Sequence, residues 1–95
     1  MSKIFVIEDQ NHAEWIGEFD SIASAWAQLK KFSELPWDAR PNRCPCQSWR
    51  TCGRDYEIQE YDNSSEPWDL INRFNGLEVS ASGVMWGPDA PRIDA

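Results

Sequence analysis

Twelve residues near the middle of the chain, RCPCQSWRTCGR from Arg43 to Arg54, concentrate the side chains best suited to chemistry. All three cysteines lie there, together with three of the nine basic residues and one tryptophan. Thiols at this density suggest a zinc site or a redox pair, whereas arginines beside an aromatic ring suggest a surface for carboxylates or phosphates. The remaining interpretation is a loop that is tied to its own protein.

The cysteines Cys44, Cys46 and Cys52 offer three thiolate ligands for zinc, and His12 is the only histidine that could supply a fourth. Their spacing does not match the paired C-x₂₋₄-C knuckles of most structural zinc sites, and no sequence signal brings His12 near the loop. We therefore predict no cofactor. Zinc bound by Cys44, Cys46, Cys52 and His12 remains an alternative.

Thiol or hydrolytic chemistry has little support in the sequence. Cys46 and Cys52 could form a redox pair whose thiolates the nearby arginines would favour, but the C-x-x-C motif that precedes a helix in thioredoxin-like proteins is absent. With one histidine in the chain, His12 is the only possible base for a nucleophilic serine or cysteine. We predict a non-enzymatic protein, with a thiol-redox role for Cys44, Cys46 and Cys52 as an alternative.

The charge pattern is the most informative feature. The chain carries a formal charge of −7, yet the window 40–54 contains four arginines and no acidic residue, and the rest of the chain carries −11. Arginines beside a tryptophan suit carboxylates and phosphates. We therefore predict a small interaction or regulatory protein that contacts an acidic or phosphorylated protein partner through Arg40, Arg43, Trp49, Arg50 and Arg54. The alternative is that these arginines pair with the body's own carboxylates, such as Glu57 or Glu60.

The acidic body suggests a second kind of partner. It could mimic nucleic acid and occupy a basic groove, as small phage-encoded inhibitors of host defence do. Direct binding to duplex nucleic acid is not expected, because four positive charges on a body of −11 attract phosphate weakly.

The sequence also bears on localisation. An acid at Glu8 interrupts any secretory signal, no apolar run approaches membrane-spanning length, and three cysteines are too few for a disulfide scaffold. We therefore predict a cytoplasmic protein without a membrane partner.

The elements that must position these residues follow from periodicity and turn signals. Strands are predicted at 3–8, 14–19, 55–61, 77–81 and 84–86, with a bulge marked by Gly17. An amphipathic helix is predicted at 21–34, and a shorter one runs from Pro67 to Gly76 because apolar residues recur there at spacings of three and four. The tryptophans on these elements, expected in the core, are Trp15, Trp26, Trp68 and Trp86.

The resulting order, β-β-α-long loop-β-α-β-β, predicts an α+β domain with a small antiparallel or mixed sheet and one main helix packed on one face. We assign residues 1–87 to this single domain and 88–95 to a flexible C-terminal tail. The loop at 36–53 is long for a domain of this size and must be held down, with Trp37 and Trp49 as its expected anchors.

Overall fold

The computed structural model describes residues 3–47 and 50–90 of the 95-residue chain. This part of the chain folds into one helix and five strands, which confirms the α+β class and an antiparallel sheet. The predicted order was wrong in one respect, because the second helix is absent from the described residues. In chain order the elements are β1 (Lys3–Asp9), β2 (Glu14–Phe19), α1 (Ile22–Glu34), β3 (Arg54–Asp62), β4 (Asp69–Ser80) and β5 (Gly83–Trp86).

The five strands form one sheet in the order β2-β1-β3-β4-β5. β1 and β3 are neighbours at its centre, although the helix and the long loop separate them in the chain. α1 packs on one face, where alternate side chains of the strands point inward. The buried core on this face comprises Phe5, Ile7, Ala25, Leu29, Phe32, Tyr56, Ile58, Leu77 and Val79.

Capping interactions define both ends of the helix. The backbone N–H of Ser24 donates to Ser21 Oγ at 3.1 Å, which satisfies one of the unpaired donors of the first turn. At the other end Leu35 is extended, because the ring of Pro36 disfavours helical backbone in the preceding residue. The apolar stripe between these ends buries Leu29 completely. The helix therefore matches its prediction to within one residue.

The predicted second helix, Pro67 to Gly76, is wrong because most of that segment belongs to β4. Two bulges explain the misleading period, since Ile71 and Gly76 are extra residues without a register partner in β3. Phe74 and Leu77 both pack against the core, although they are three positions apart, because Gly76 is inserted between them. A strand that contains such bulges repeats its apolar residues at the spacing of a helix.

Gly76 is a position where the fold requires a glycine. A Cβ atom there would lie 2.6 Å from Leu29 Cδ1 and 2.7 Å from Tyr56 O. We expect Gly76→Ala to destabilise the protein by about 1–3 kcal/mol, because the backbone of β3 cannot retreat without disturbing the core. Gly17→Ala is the matched control, since its Cβ would make ordinary contact with Phe19 at 3.4 Å. Denaturant unfolding of the two variants checks this, and equal stabilities would contradict it.

The loop and the first residues of the predicted tail each contact the rest of the domain. Trp37 packs against the core, as expected of a loop anchor, whereas Trp49 lies outside the described residues. At the start of the predicted tail, Asp89 accepts a hydrogen bond from the Asn75 N–H at 2.9 Å. The rest of that tail, 91–95, lies outside the described residues.

The remaining tryptophans divide between the two faces of the sheet. Trp26 and Trp86 pack against the core with ring centroids 6.5 Å apart, as predicted. Trp15 and Trp68 lie instead on the opposite face, where Trp15 is 49% exposed, so the assignment of these two to the core was wrong. Over the described residues, no helix combines the length and the apolar character needed to cross a membrane.

Candidate metal centre

The candidate site lies where the turn after β1 meets the segment that leads into β3. Because these two strands are antiparallel neighbours, the end of β1 lies beside the start of β3. Two hydrogen bonds extend the pairing beyond the strands: Gln10 N–H donates to Asp55 O at 2.8 Å, and the Asn11 side chain donates to Gly53 O at 3.0 Å. Strand pairing therefore brings His12 beside Cys52, forty positions away in the chain.

Three metal-ligating side chains meet at this point. His12 Nε2 lies 3.1 Å from Cys52 Sγ, and the ligand atoms of His12, Cys44 and Cys52 all lie within 4.8 Å of one another. A tetrahedral zinc ion with Zn–S bonds of about 2.3 Å holds its sulfur ligands about 3.8 Å apart. The observed separations are close to this, so small side-chain movements would complete the geometry.

Cys46 lies next to this group but is not part of it. Its thiol interacts with His12 and electrostatically with Cys44, from which it is separated only by Pro45. The structure thus brings together three of the four residues that the sequence offered as a zinc set, including the histidine that no sequence signal placed near the loop.

Asp9 orients the His12 imidazole by bonding the ring nitrogen that faces away from the cysteines. Its carboxylate is fully buried, and Oδ2 accepts a hydrogen bond from His12 Nδ1–H at 2.5 Å. The backbone N–H groups of Asn11 and Asp55 donate to the other oxygen at 3.1 and 3.0 Å. Because a carboxylate can only accept, this contact places the proton on Nδ1 and leaves the Nε2 lone pair directed at the sulfurs.

The surroundings of the thiol and the imidazole favour the protonated form of each. Burial raises the pKa of the Cys44 thiol to about 12, and its hydrogen bond with Cys52 adds to the rise. Burial alone would lower the pKa of His12, but its hydrogen bonds to Asp9 and Cys46 outweigh it and hold that pKa above the usual value. Cys44 therefore keeps its proton at neutral pH until a metal ion displaces it.

Arg54 lies inside the site, with its side chain only 5% exposed. Its Nη1 donates to Asp9 Oδ2 at 2.8 Å and to the carboxylate of Glu14, while Nη2 donates to Arg43 O at 2.9 Å. These partners all belong to the chain, so we leave Arg54 out of the predicted contact surface. It fits the alternative in which a loop arginine pairs with the body's own carboxylates, although not with the two β3 glutamates that we expected.

A buried asparagine fixes the loop between the helix and the cysteines. The Asn42 side-chain amide donates to Phe32 O at 2.8 Å and so satisfies a carbonyl of the last helical turn. Its Oδ1 accepts a hydrogen bond from the Tyr56 hydroxyl at 3.1 Å. Asn42 therefore joins α1, the loop and β3 two positions before Cys44.

The other arginines of the predicted contact surface have side chains that are more exposed than that of Arg54. Arg40 and Arg43 line a cleft of about 600 Å³, and Cys44 and Cys46 form part of its wall. Both arginines are exposed, and so is Arg50. The cationic side of the loop thus adjoins the sulfur cluster.

Sequence reasoning missed the two residues that organise the site, Asp9 and Asn42. Asp9 had a usable signal, because an aspartate at the end of a strand and three positions before a turn histidine can reach its ring. Asn42 had none, since its partners come from α1 and β3 and depend on the packed fold.

Fold and site together define a small α+β domain in which two cysteines and a histidine form a partly buried cluster, with a buried carboxylate hydrogen-bonded to the histidine. The chain matches no protein-family model, and comparisons with curated proteins and with solved structures give no significant match.

Proposed function

We propose that this chain is a zinc-stabilised interaction domain in which Cys44, Cys46, Cys52 and His12 hold one Zn²⁺ ion. The proposal is carried by the convergence of the ligand atoms of His12, Cys44 and Cys52 within 4.8 Å. Cys46, which interacts with the same histidine, is the nearby thiol that would move in as the fourth ligand. Three thiols and an imidazole are an established ligand set for structural zinc. The bond to Asp9 adds support, because zinc-bound histidines usually donate their other N–H to a carboxylate or carbonyl.

The zinc would be structural. Four protein ligands complete a tetrahedral shell and leave no position for a water molecule or a substrate. Three thiolates with Zn²⁺ carry a net charge of −1, and Arg54 supplies a positive charge near Cys44. The ion would join the turn after β1, the long loop and the start of β3, three segments that are distant in the chain.

Thiol chemistry is the competing interpretation. Asp9, His12 and Cys52 stand in the order of a Cys-His-Asp relay, with contacts of 2.5 and 3.1 Å. A relay needs room for a substrate at its sulfur, whereas the Cys44 thiol lies within 4.8 Å of this one and is hydrogen-bonded to it. A Cys44–Cys52 disulfide is a second competitor. Both alternatives require a reactive thiol, whereas bound zinc would keep all three cysteine thiols from reacting.

Metal content separates these interpretations. Protein purified without chelator is expected to contain one zinc ion per chain by elemental analysis, and its thiols should become reactive toward an alkylating reagent only after chelation. Cys52→Ser removes a ligand and should lose the zinc, while Gln47→Ala, an exposed change in the same loop, should retain it. Zinc-free protein with one rapidly alkylated thiol would contradict the proposal and favour the relay.

The loop held by zinc would serve as the contact surface for an acidic protein partner. This part of the proposal rests on the cleft lined by Arg40 and Arg43 and on the absence of acidic residues from the window 40–54. The one carboxylate that lines the cleft, Glu14, is paired with Arg54. Arginine forks pair with carboxylates through two parallel hydrogen bonds, which suits a glutamate- or aspartate-rich segment.

Charge reversal at the cleft tests this surface. Arg40→Glu should weaken binding of a glutamate-rich octapeptide by on the order of tenfold at low ionic strength, and added salt should weaken the wild type similarly. Lys30→Glu makes the same change on the exposed face of α1 and should have little effect. Titration of isotope-labelled protein, followed by NMR, measures both. Equal losses in the two variants would show that net charge alone attracts the peptide.

A further inference from the structure

The face of the sheet opposite α1 carries an aromatic cluster formed by Trp15, Tyr61 and Trp68. The ring centroid of Trp68 lies 6.1 Å from that of Trp15 and 5.8 Å from that of Tyr61. Trp15 is on the edge strand β2 and Tyr61 on β3, so the Trp68 ring spans β1 between them. This arrangement accounts for the complete burial of Val6, whose side chain points to the same face.

The side chains of the aromatic cluster differ in their exposure to solvent. Tyr61 and Trp68 are half-buried, whereas Trp15 is 49% exposed. A tryptophan on an edge strand with half of its surface in water offers a flat π-face that can accept a cation.

One carboxylate is paired with this ring, and a second lies beside the first. Glu8 is the register partner of Trp15 in β2 and of Glu57 in β3, so two like charges oppose each other on neighbouring strands. Such a pairing is unfavourable by itself. The Gln59 amide bridges the two carboxylates at 2.9 and 3.0 Å, the Gln10 amide also donates to Glu8 at 2.5 Å, and Arg73 reaches Glu57 at 3.4 Å.

From this arrangement we infer that Trp15 and Glu8 bind an arginine side chain of a basic peptide segment. A guanidinium group can stack on the indole while it donates to the Glu8 carboxylate, which would offset the repulsion between Glu8 and Glu57. The occupant is chosen by charge complementarity, since the body outside the window 40–54 carries −11. A mimic of nucleic acid would need carboxylates where the aromatic rings stand, so the cluster favours single cationic side chains.

Binding of an arginine-rich octapeptide to the purified protein tests the inference, with a citrulline version as the uncharged isosteric control. The indole N–H resonance of Trp15 should shift with the arginine peptide and not with the citrulline peptide. Trp15→Ala should raise the dissociation constant about five- to thirtyfold, and Trp15→Phe should restore part of the loss.

A second pair of variants keeps the test independent of folding. Glu8→Gln preserves the hydrogen-bonding shape and should weaken binding about two- to fivefold. Glu34→Gln, which removes an exposed charge at the end of α1, should leave binding unchanged. Equal affinities for wild type, Trp15→Ala and Glu8→Gln would overturn the inference. So would self-association of the wild type that Trp15→Ala abolishes, since a second copy would then be the occupant. No residue of this surface is a proposed zinc ligand, so either failure leaves the metal proposal untouched.

Discussion

Removal of zinc by a strong chelator is expected to lower the midpoint of thermal unfolding by on the order of 20 °C. A ligand present at about a thousand times its dissociation constant stabilises the native state by about 4 kcal/mol. In a domain of this size, each kcal/mol shifts the midpoint by about 4–8 °C. Calorimetry of the zinc-loaded and the chelated protein measures the difference directly.

After zinc is removed, the loss of native structure should begin at the segments that the zinc joins. Residues 36–47 and 50–53 contain neither an α-helix nor a β-strand, whereas the core between α1 and the sheet does not involve the cysteine cluster. Amide exchange should therefore accelerate in this loop and in the turn after β1 well before it does in β3. The anchors Asn42 and Trp37 should keep the helix end attached.

Selectivity among metal ions provides the control for chelation. Zinc added back should restore the midpoint, whereas magnesium should not, because a hard cation prefers oxygen ligands to thiolates. An unchanged midpoint after complete removal of zinc would mean that the cluster does not support the fold, and the structural role would fail.

Replacement of Asp9 is expected to have the second-largest effect. Its buried carboxylate pairs with Arg54 at 2.8 Å, holds His12 at 2.5 Å and accepts two backbone N–H groups. Asp9→Ala leaves the buried guanidinium without this partner and should cost about 3–5 kcal/mol of unfolding free energy. Denaturant unfolding measures the loss.

Asp9→Asn separates the role of this residue in metal binding from its role in the fold. The amide oxygen can still accept from the backbone, but the negative charge that polarises His12 is lost, and zinc affinity should fall about 10- to 100-fold. Competition with a chromophoric chelator measures that affinity. Asp38→Asn removes an exposed loop charge and should bind zinc like the wild type. Equal affinities for the two variants would show that Asp9 acts only in the fold.

Periodicity and turn signals were enough to predict most of the fold. The cap at Ser21 and Pro36 defined the helix, and alternation defined the strands on either side of it. The N-terminal half of β4 was misassigned because the inserted residues Ile71 and Gly76 shift its apolar residues from a period of two to a spacing of three. Bulges depend on the partner strand, so a single segment cannot reveal them.

The sequence was enough to predict part of the candidate site. Three cysteines within nine positions marked the loop, but their spacing matched no knuckle, and the proposed histidine ligand lies in the turn after β1. Only the adjacency of β1 and β3 brings His12 to Cys52, and that adjacency depends on the order of strands in the sheet. The charge pattern drew equal attention to all four arginines, whereas burial assigns Arg54 to an internal ion pair.

X-ray absorption at the zinc edge of the purified protein counts the atoms bound to the metal and identifies them as sulfur, nitrogen or oxygen. We predict three sulfur atoms at about 2.3 Å and one nitrogen atom at about 2.0–2.1 Å, supplied by Cys44, Cys46, Cys52 and His12. His12→Ala should replace the nitrogen with an oxygen from water and leave the three sulfur atoms. A shell of oxygen atoms in the wild type, or one with fewer than three sulfur atoms, would contradict the account.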